Sequence, residues 1–365
     1  MPTLQPLHLA VVGVGLVGSE FMNQVIDSPF PFDLILISSS KATAFSPSGF
    51  CLPKSHDWKA LLQSANTKKE LSEVVPGLAE IVEKEGARVV LVDNTSSDDV
   101  AALYPHLLGA GVHVVTPNKK AYSGSLALYE RIVSASLESG ARFYNEATVG
   151  AGLPVISTLK DLIVTGDKVK KIEGVFSGTM SYIFNEFSTG KPDGPKFSDV
   201  VRVAREKGYT EPHPADDLNG ADVARKLTIL SRLIPSLKSA LPEGYKSVQT
   251  TSLVPAALED AKTGDDFIAR LPEFDEHFDK IRADAAKENQ VLRYVGVIDV
   301  ASGTIKASLE KYPNTHAFAT SLGGSDNIIM FHTERYSPRP LIIQGAGAGA
   351  AVTAMGVMSD VLRLL

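Results

Sequence analysis

The chain has 365 residues, 44% hydrophobic and 21% charged, with a formal net charge of −6 at pH 7. That length favours two domains, and an ordinary globular balance with an acidic excess argues against a nucleic-acid partner. The single cysteine, Cys51, excludes an intrachain disulfide and a cysteine-based metal cluster and fits a reducing compartment.

No basic segment precedes the apolar run LHLAVVGVGLVG, which is short and broken by glycine. The stretch from Leu341 to Met358 is long enough to raise the question of a membrane. Its glycines and alanines, with Gln344, Thr353 and the nearby Asp360, read instead as a buried strand and helix. A cytoplasmic protein with no membrane partner is expected.

His8 to Val12 reads as a buried strand, followed at once by Gly13-Val14-Gly15-Leu16-Val17-Gly18 and a helical pattern through Phe21, Met22, Val25 and Ile26. In this context Gly13 permits the tight turn, Gly15 lets a pyrophosphate approach the backbone, and Gly18 lets helix and strand pack closely. The anion would sit on the helix N-terminus. Asp33 to Ile37 is the second strand, and its end reads Ser38-Ser39-Ser40-Lys41, where a ribose-binding acid would stand. With hydroxyls and a lysine there, NADP is expected to be accepted at least as well as NAD, and preferred. The alternative is a plain polar turn with Lys41 in solvent.

Residues 42–66 read as a surface excursion with a short helix near Trp58, and Cys51 within it as inert. A helix from Leu71 to Lys84 is expected to break near Pro76-Gly77. Arg88 to Val92 is a strand ending in Asp93-Asn94-Thr95-Ser96-Ser97, and Val112 to Val115 is one ending in Thr116-Pro117-Asn118-Lys119-Lys120. Polar groups at the carboxyl ends of parallel strands face a ligand crevice, so Asn94, Thr95, Ser96 and Lys119 are candidates, although Ser97 also suits a helix cap. A strand from Ala141 to Asn145 delivers Glu146 and the Gly-rich turn to Pro154. One carboxylate with exposed carbonyls suits a hard cation of low charge, and no acidic cluster supports a divalent site.

The pattern then changes. Helices at 154–164 and 180–187 flank a strand at 169–176, and Ser198 is read as capping a helix that ends at Gly208. The stretch KGYTEPHPADDLNGADVARK, residues 207–226, gathers Glu211, Asp216, Asp217 and Asp222 ahead of Lys226. Asn219 is a natural N-cap for a helix running toward Pro235. Asp222 and Lys226 are four apart on one stripe with Ile229 and Leu233, while Arg225, Thr228 and Arg232 suit solvent. An ordinary surface ion pair is one reading. The upstream carboxylates favour the other, a site that grips a charged substrate and moves a proton. Strands at 291–300, 304–311 and 327–336 suggest an antiparallel sheet with one wet face. Gln344-Gly345-Ala346-Gly347-Ala348-Gly349 leads into a Gly/Ala helix, for close approach to a ligand or for helix packing.

Taken together, VGVGLVGS, VDNTSS, TPNKKA, EATVGAGLP, FSGTMSYIFNEFS, GYTEPHPADDLNGADVARK and QGAGAGAAVTA resemble homoserine dehydrogenase in its short monofunctional form, over essentially the whole chain. The resemblance implies an α/β fold: a Rossmann-type doubly wound parallel sheet with a second α+β substrate and dimerisation domain. The implied boundaries are 1–153, completed by 341–365, and 154–340. It implies catalytic roles for Lys226 and Lys119, and homoserine binding by Glu211, Asp217, Asp222, Gly178, Thr179 and Tyr209. Dinucleotide binding falls to Gly13, Gly15, Val17, Gly18, Ser40, Lys41, Asn94, Thr95, Ser96, Lys119, Gly345, Gly347 and Gly349. Glu146, with the carbonyls of Val149, Ala151 and Leu153, matches a monovalent cation site, usually sodium. The implied reaction is reversible reduction of L-aspartate 4-semialdehyde to L-homoserine with NADP or NAD, in threonine and methionine biosynthesis, by a homodimer without a fused kinase. A semialdehyde dehydrogenase would need a cysteine nucleophile, and Cys51 stands in the wrong domain for one. A silent dinucleotide-binding sensor would have no use for the lysine and carboxylate set.

Overall fold

In the computed structural model residues 6–50, 58–65 and 68–365 are described, and Cys51 falls outside them. The chain divides into two units, Met1–Pro154 with Gly349–Leu365, and Val155–Ala348.

In the first unit β1 (Leu7–Val12), β2 (Phe32–Ser38), β3 (Thr43–Phe50), β4 (Val89–Asp93), β5 (His113–Val115) and β6 (Phe143–Tyr144) form a sheet ordered β3-β2-β1-β4-β5-β6. All neighbours are parallel except β3 on β2. Chain order reverses between β1 and β4, which places a topological switch point at their carboxyl ends. Val12 pairs with Asp93 there, and the Asn94 N–H donates to the Val12 carbonyl at 2.7 Å, so Gly13 and Asn94 leave the sheet side by side. The core beneath is Leu9, Val11, Val90 and Val92 with Phe21 and Met22 of helix Leu16–Asp27 and Val357 and Val361 of helix Ala350–Leu362.

Two expectations change here. Residues 43–50 are an antiparallel edge strand, not a surface excursion. Their serines and Pro47 disguise it, and proline is tolerated on an edge because only one side pairs. Helix Leu71–Glu85 also runs through Pro76 without a break. Gly77 holds it close, since a Cβ there would meet the Phe45 ring at 2.9 Å.

The second unit holds β7 (Val169–Val175), β8 (Gln249–Thr250), β9 (Gln290–Asp299), β10 (Thr304–Pro313), β11 (Asp326–Thr333) and β12 (Leu341–Ala346), ordered β12-β11-β7-β9-β10-β8. Every pair is antiparallel except β8 on β10. The strand at 341–346 therefore belongs here and not with the C-terminal helix, because it pairs with β11 from Asp326↔Ala346 to Phe331↔Leu341. Helices Gly178–Phe187, Ala221–Ser231 and Asp275–Lys287 pack on β9. Phe184 and Phe187 of the first, Phe278 of the third and Phe197 of helix Phe197–Glu206 join in edge-to-face, tilted and stacked pairs.

Three local readings are corrected. Helix Phe197–Glu206 begins before Ser198, whose hydroxyl donates to Asp275 at 2.6 Å. Gly220, with φ of 76°, is the N-cap of helix Ala221–Ser231, and the Asn219 Oδ1 accepts the Ala221 N–H at 2.8 Å. The face with Thr228 and Arg232 is not in solvent: they are 0% and 3% exposed. The helix is enclosed by β9 and β10 and by the Gly244–Ser247 turn, where Tyr245 lies 3.7 Å from the Arg225 guanidinium. Helical periodicity marks one buried stripe but cannot show that a turn from later in the chain covers the other.

Candidate active site

The glycine turn of the first unit is built as its spacing implies. Gly13 has φ of 83°, and a Cβ on Gly18 would stand 1.9 Å from the Gly13 carbonyl oxygen, so both positions exclude side chains. Gly15 differs. Nothing lies within 4 Å of where its Cβ would be, and it opens helix Leu16–Asp27 without a side-chain cap. Space and uncapped N–H groups at a helix start are what a phosphate needs. Beside them, neither polar atom of the buried Asn94 amide has a hydrogen-bond partner among the described residues. These features fit a dinucleotide. Val17 lies half-buried in the first turn of the same helix.

The loops after β4 and β5 are tied together by Asp93, which is fully buried. Its carboxylate accepts the Thr95 N–H at 2.8 Å, the Asn118 amide at 3.1 Å and the Tyr104 hydroxyl. Asn118 also donates to the Ser97 carbonyl at 2.9 Å, and its Oδ1 accepts from Lys120 N–H at 3.1 Å. Asn94, Thr95, exposed Ser96 and half-buried Lys119 are thus presented by a braced frame. The brace has no signature in the sequence, because Tyr104 lies eleven residues from Asp93 within an apolar helix.

At the end of β2, Ser40 and Lys41 are exposed. A second ammonium, unforeseen in the sequence, joins them: Lys68 donates to the Ser38 hydroxyl at 2.8 Å and to the Ser39 carbonyl at 2.7 Å. Only the fold brings a residue 30 positions on back to this strand end.

Glu146 is 3% exposed, in a 3₁₀ turn ahead of Gly150 and Ala151, whose φ angles are 79° and 54°. Its N–H donates to Asp360 at 2.8 Å, and Arg363 lies 3.4 Å from its carboxylate. Val149 is fully buried, Ala151 nearly so, and the Leu153 N–H closes the turn on the Gly150 carbonyl at 2.9 Å.

In the second unit the remaining candidates converge. Lys226 is 6% exposed, with its ammonium 2.7 Å from Asp222 and 2.6 Å from the Phe176 carbonyl. Asp222 is 44% exposed, so the pair is an ammonium sunk in the core beneath a carboxylate that still touches water. Phe176 follows the end of β7, and Ser177 caps helix Gly178–Phe187 by accepting the Met180 N–H at 3.2 Å. That helix start presents Thr179, whose hydroxyl contacts the Tyr209 carbonyl at 2.5 Å and Asp217 Oδ1 at 2.9 Å. Asp217 Oδ2 accepts the Glu211 N–H at 2.8 Å. Burial pushes the Asp217 carboxyl up to about 6; the neighbouring Glu211 and Asp222 charges push the same way, against hydrogen bonds from the Glu211 N–H and Thr179. The Thr179 hydroxyl is thus the donor that both the Tyr209 carbonyl and the Asp217 carboxylate face. Tyr209 stacks obliquely on Tyr182 at 4.8 Å and stays 42% exposed, and Glu211 is exposed beside it. Gly178 is buried, since a Cβ there would sit 3.0 Å from the Ser325 carbonyl oxygen.

Comparison with known proteins decides the family. The homoserine dehydrogenase family profile matches residues 154–362, and the profile for the NAD-binding domain of homoserine dehydrogenase matches residues 13–146. The chain belongs to the homoserine dehydrogenase family. It is 45% identical to homoserine dehydrogenase of Saccharomyces cerevisiae and 46% identical to that of Emericella nidulans, over at least 98% of each chain. It also matches the bifunctional aspartokinase/homoserine dehydrogenase 2 of Zea mays at 43% identity, covering 98% of this chain but 38% of that one. A Candida auris protein of unknown function superposes with a TM-score of 0.89 at 44% identity, over 98% of this chain and 97% of that one. A hyperthermophilic archaeal homoserine dehydrogenase in complex with NADPH shares the fold at a TM-score of 0.69 and 21% identity, over 98% of this chain and 97% of that one. As a homoserine dehydrogenase this protein is an oxidoreductase with a Rossmann-type unit for a nicotinamide dinucleotide.

Gly345, Gly347 and Gly349, expected together at the cofactor, fall on both sides of the unit boundary, and Gly345 pairs with Asn327 in the second sheet.

Proposed function

We propose that the protein interconverts L-aspartate 4-semialdehyde and L-homoserine, with Lys226 as the group that moves the proton at the reacting oxygen. What carries this reading is the Lys226 ammonium, held between Asp222 at 2.7 Å and the Phe176 carbonyl at 2.6 Å next to a carboxylate cluster. A nicotinamide dinucleotide, when bound in the first unit, would supply or accept the hydride. Lys226 donates a proton to the aldehyde oxygen as charge develops on it, and an adjacent cation stabilises that charge in a desolvated place. Asp222 keeps the ammonium aimed and charged. Asp217 and Glu211 bind the substrate ammonium, with Thr179, Gly178 and the Tyr209 backbone shaping that end of the site. Lys119 in the first unit is assigned the second catalytic ammonium. The test is absorbance at 340 nm with homoserine and oxidised cofactor at alkaline pH. No rise there would leave a dinucleotide-binding sensor as the better reading.

Finer features belong to the same proposal. NADP is preferred, because Ser40, Lys41 and Lys68 surround the end of β2. Glu146 and the carbonyls of Val149, Ala151 and Leu153 would hold a monovalent cation, sodium. A buried carboxylate with carbonyl oxygens is a hard donor set of single charge, though Arg363 reaches the same carboxylate. Activity unchanged when alkali cations are replaced by tetramethylammonium would refute that site. The first unit is the dinucleotide domain and the second binds substrate and dimerises. Among the described residues no helix is long and apolar enough to cross a membrane. We assign the protein to the cytoplasm, which fractionation of cells would test.

A further inference from the structure

We propose that Asn327 is a positioning residue for Lys226, acting through the carbonyl they share. Asn327 stands on β11 and is fully buried. Its Nδ2 donates to the Phe176 carbonyl at 3.0 Å, and the same oxygen accepts from Lys226 Nζ at 2.6 Å. A carbonyl oxygen has two lone pairs, and these two donors account for both. Sharing one oxygen, the amide and the ammonium lie within about 6 Å of each other, the sum of two ordinary hydrogen-bond lengths.

The backbone of Gly347 lies directly against this amide. A Cβ on Gly347 would stand 2.0 Å from Asn327 Nδ2 and 2.1 Å from its Cγ, so only a glycine lets the backbone lie on that amide. The sequence marks Gly347 as a place for a ligand, but the structure gives it a second duty, as the wall behind Asn327. The orientation of the amide is also fixed, because turning it over would set Oδ1 against the Phe176 oxygen. Asn327 Oδ1 then has no hydrogen-bond partner among the described residues. Burying an unsatisfied acceptor is costly, and apolar residues would suit this core better unless the Nδ2 donor had a purpose.

That purpose follows from the chemistry. Phe176 comes just after Val175, where the pairing of β7 with β11 ends, and just before the cap of helix Gly178–Phe187. Its carbonyl thus lies beyond the paired part of the strand. The Asn327 donor fixes its direction and hence the place of the Lys226 ammonium. It also draws electron density from the oxygen and so moderates its hold on the ammonium. This inference rests on the assignment of Lys226 as the proton donor. Asp222 on its own helix pairs with that ammonium at 2.7 Å, and Asp222 and Glu211 act in turn on Asp217. The variants below leave all three unaltered.

The experiment measures kcat, homoserine KM and the pH profile of aldehyde reduction for wild type, Asn327→Leu, Asn327→Asp and Lys226→Met. Asn327→Leu should lose about tenfold or more in kcat with KM within about twofold, as expected of a misplaced catalytic group. Asn327→Asp keeps the shape against Gly347, but replaces the donor with a carboxylate. It should move the alkaline limb of the profile up by about one unit, because a new negative charge favours the ammonium. If Asn327→Leu does not fold, the limb shift in Asn327→Asp decides. A kcat within about twofold of wild type in the folded variants, or an unmoved limb in Asn327→Asp, overturns the inference while leaving Lys226 in its role. Wild-type kcat in Lys226→Met would instead remove Lys226, and the inference with it.

Discussion

Replacing Lys226 by methionine separates chemistry from folding more cleanly than truncation does. Methionine fills most of the volume of the lysine stem, so the enclosed helix keeps its packing against β9. What disappears is the ammonium, its 2.6 Å bond to Phe176 and its 2.7 Å contact with Asp222. The lost charged hydrogen bond contributes about 1.5–3 kcal/mol. Against it stands relief from holding an ammonium in the core, a cost of several kcal/mol in general. The two are of similar size and opposite sign. Phe176 keeps its Asn327 donor, and Asp222 is open enough to be hydrated. The urea midpoint should therefore move little, by no more than about 1 kcal/mol of stability. The rate should not be spared. A positioned proton donor accounts for at least about 100-fold in kcat, or about 2.7 kcal/mol of transition-state stabilisation. The assay is cofactor absorbance at 340 nm at saturating substrate in both directions, with urea melts of the same preparations. A stable variant within about fivefold of wild-type kcat would refute the reasoning, and an unfolded one would refute the packing argument.

Asp217 gives a pH dependence with a definite sign. Its carboxyl is raised to about 6, and a substrate ammonium binds its ionised form, so affinity is full above about pH 6 and falls as pH drops below it. Homoserine KM should climb toward tenfold per unit on the acid side in wild type and lose that slope in Asp217→Asn; a flat wild-type profile to pH 5 would contradict it. Lys41→Ala with Lys68→Ala should lower kcat/KM for NADP by at least about tenfold and leave NAD little changed, each lost phosphate contact being charge-assisted. Equal effects on both cofactors would remove the 2′-phosphate from that corner. The semialdehyde lacking the amino group should be reduced with kcat/KM at least about 1000-fold below that of the natural substrate, since a site built for a charged group is left unsatisfied without it; near-equal rates would reassign Glu211 and Asp217. The protein should be a homodimer through the second sheet, where β12 is an edge with one neighbour and Ile342 is 43% exposed. Light scattering at the mass of one chain, independent of concentration, would refute that.

What the sequence disclosed follows from how locally each feature is encoded. The Gly13–Gly18 turn is a matter of backbone angles and Cβ clearance within six residues, so the spacing of its glycines alone reveals their roles. The pair Asp222 and Lys226 is likewise fixed by helical spacing. Features that failed to show depend on chain returning from far away. Lys68 reaches the end of β2 across 30 positions, and Asn327 reaches Phe176 across 151. Thr228 and Arg232 looked solvent-facing because a polar residue in a helix ordinarily is, and the covering turn begins more than ten residues later. The strand at 43–50 lacks the β-branched alternation of an inner strand, which is what an edge with proline permits. Hydroxyl-rich edges and buried polar anchors are therefore the elements for which periodicity gives the wrong answer.

One electrostatic argument joins the substrate end of the site to the lysine end. Burial, with the Glu211 and Asp222 charges, raises the Asp217 carboxyl, while the Thr179 hydroxyl donates to it at 2.9 Å. Below about pH 6 the free site holds a proton on Asp217 that a substrate ammonium must displace; above it the carboxylate is already ionised and the ammonium binds without releasing a proton. The aldehyde acid without an amino group carries only a negative charge and would leave Glu211 and Asp217 facing no cation, so discrimination would come from these carboxylates rather than from Lys226. The acid limb in KM and the alkaline limb in kcat should accordingly move independently, the first with Asp217 and the second with Lys226 and Asn327.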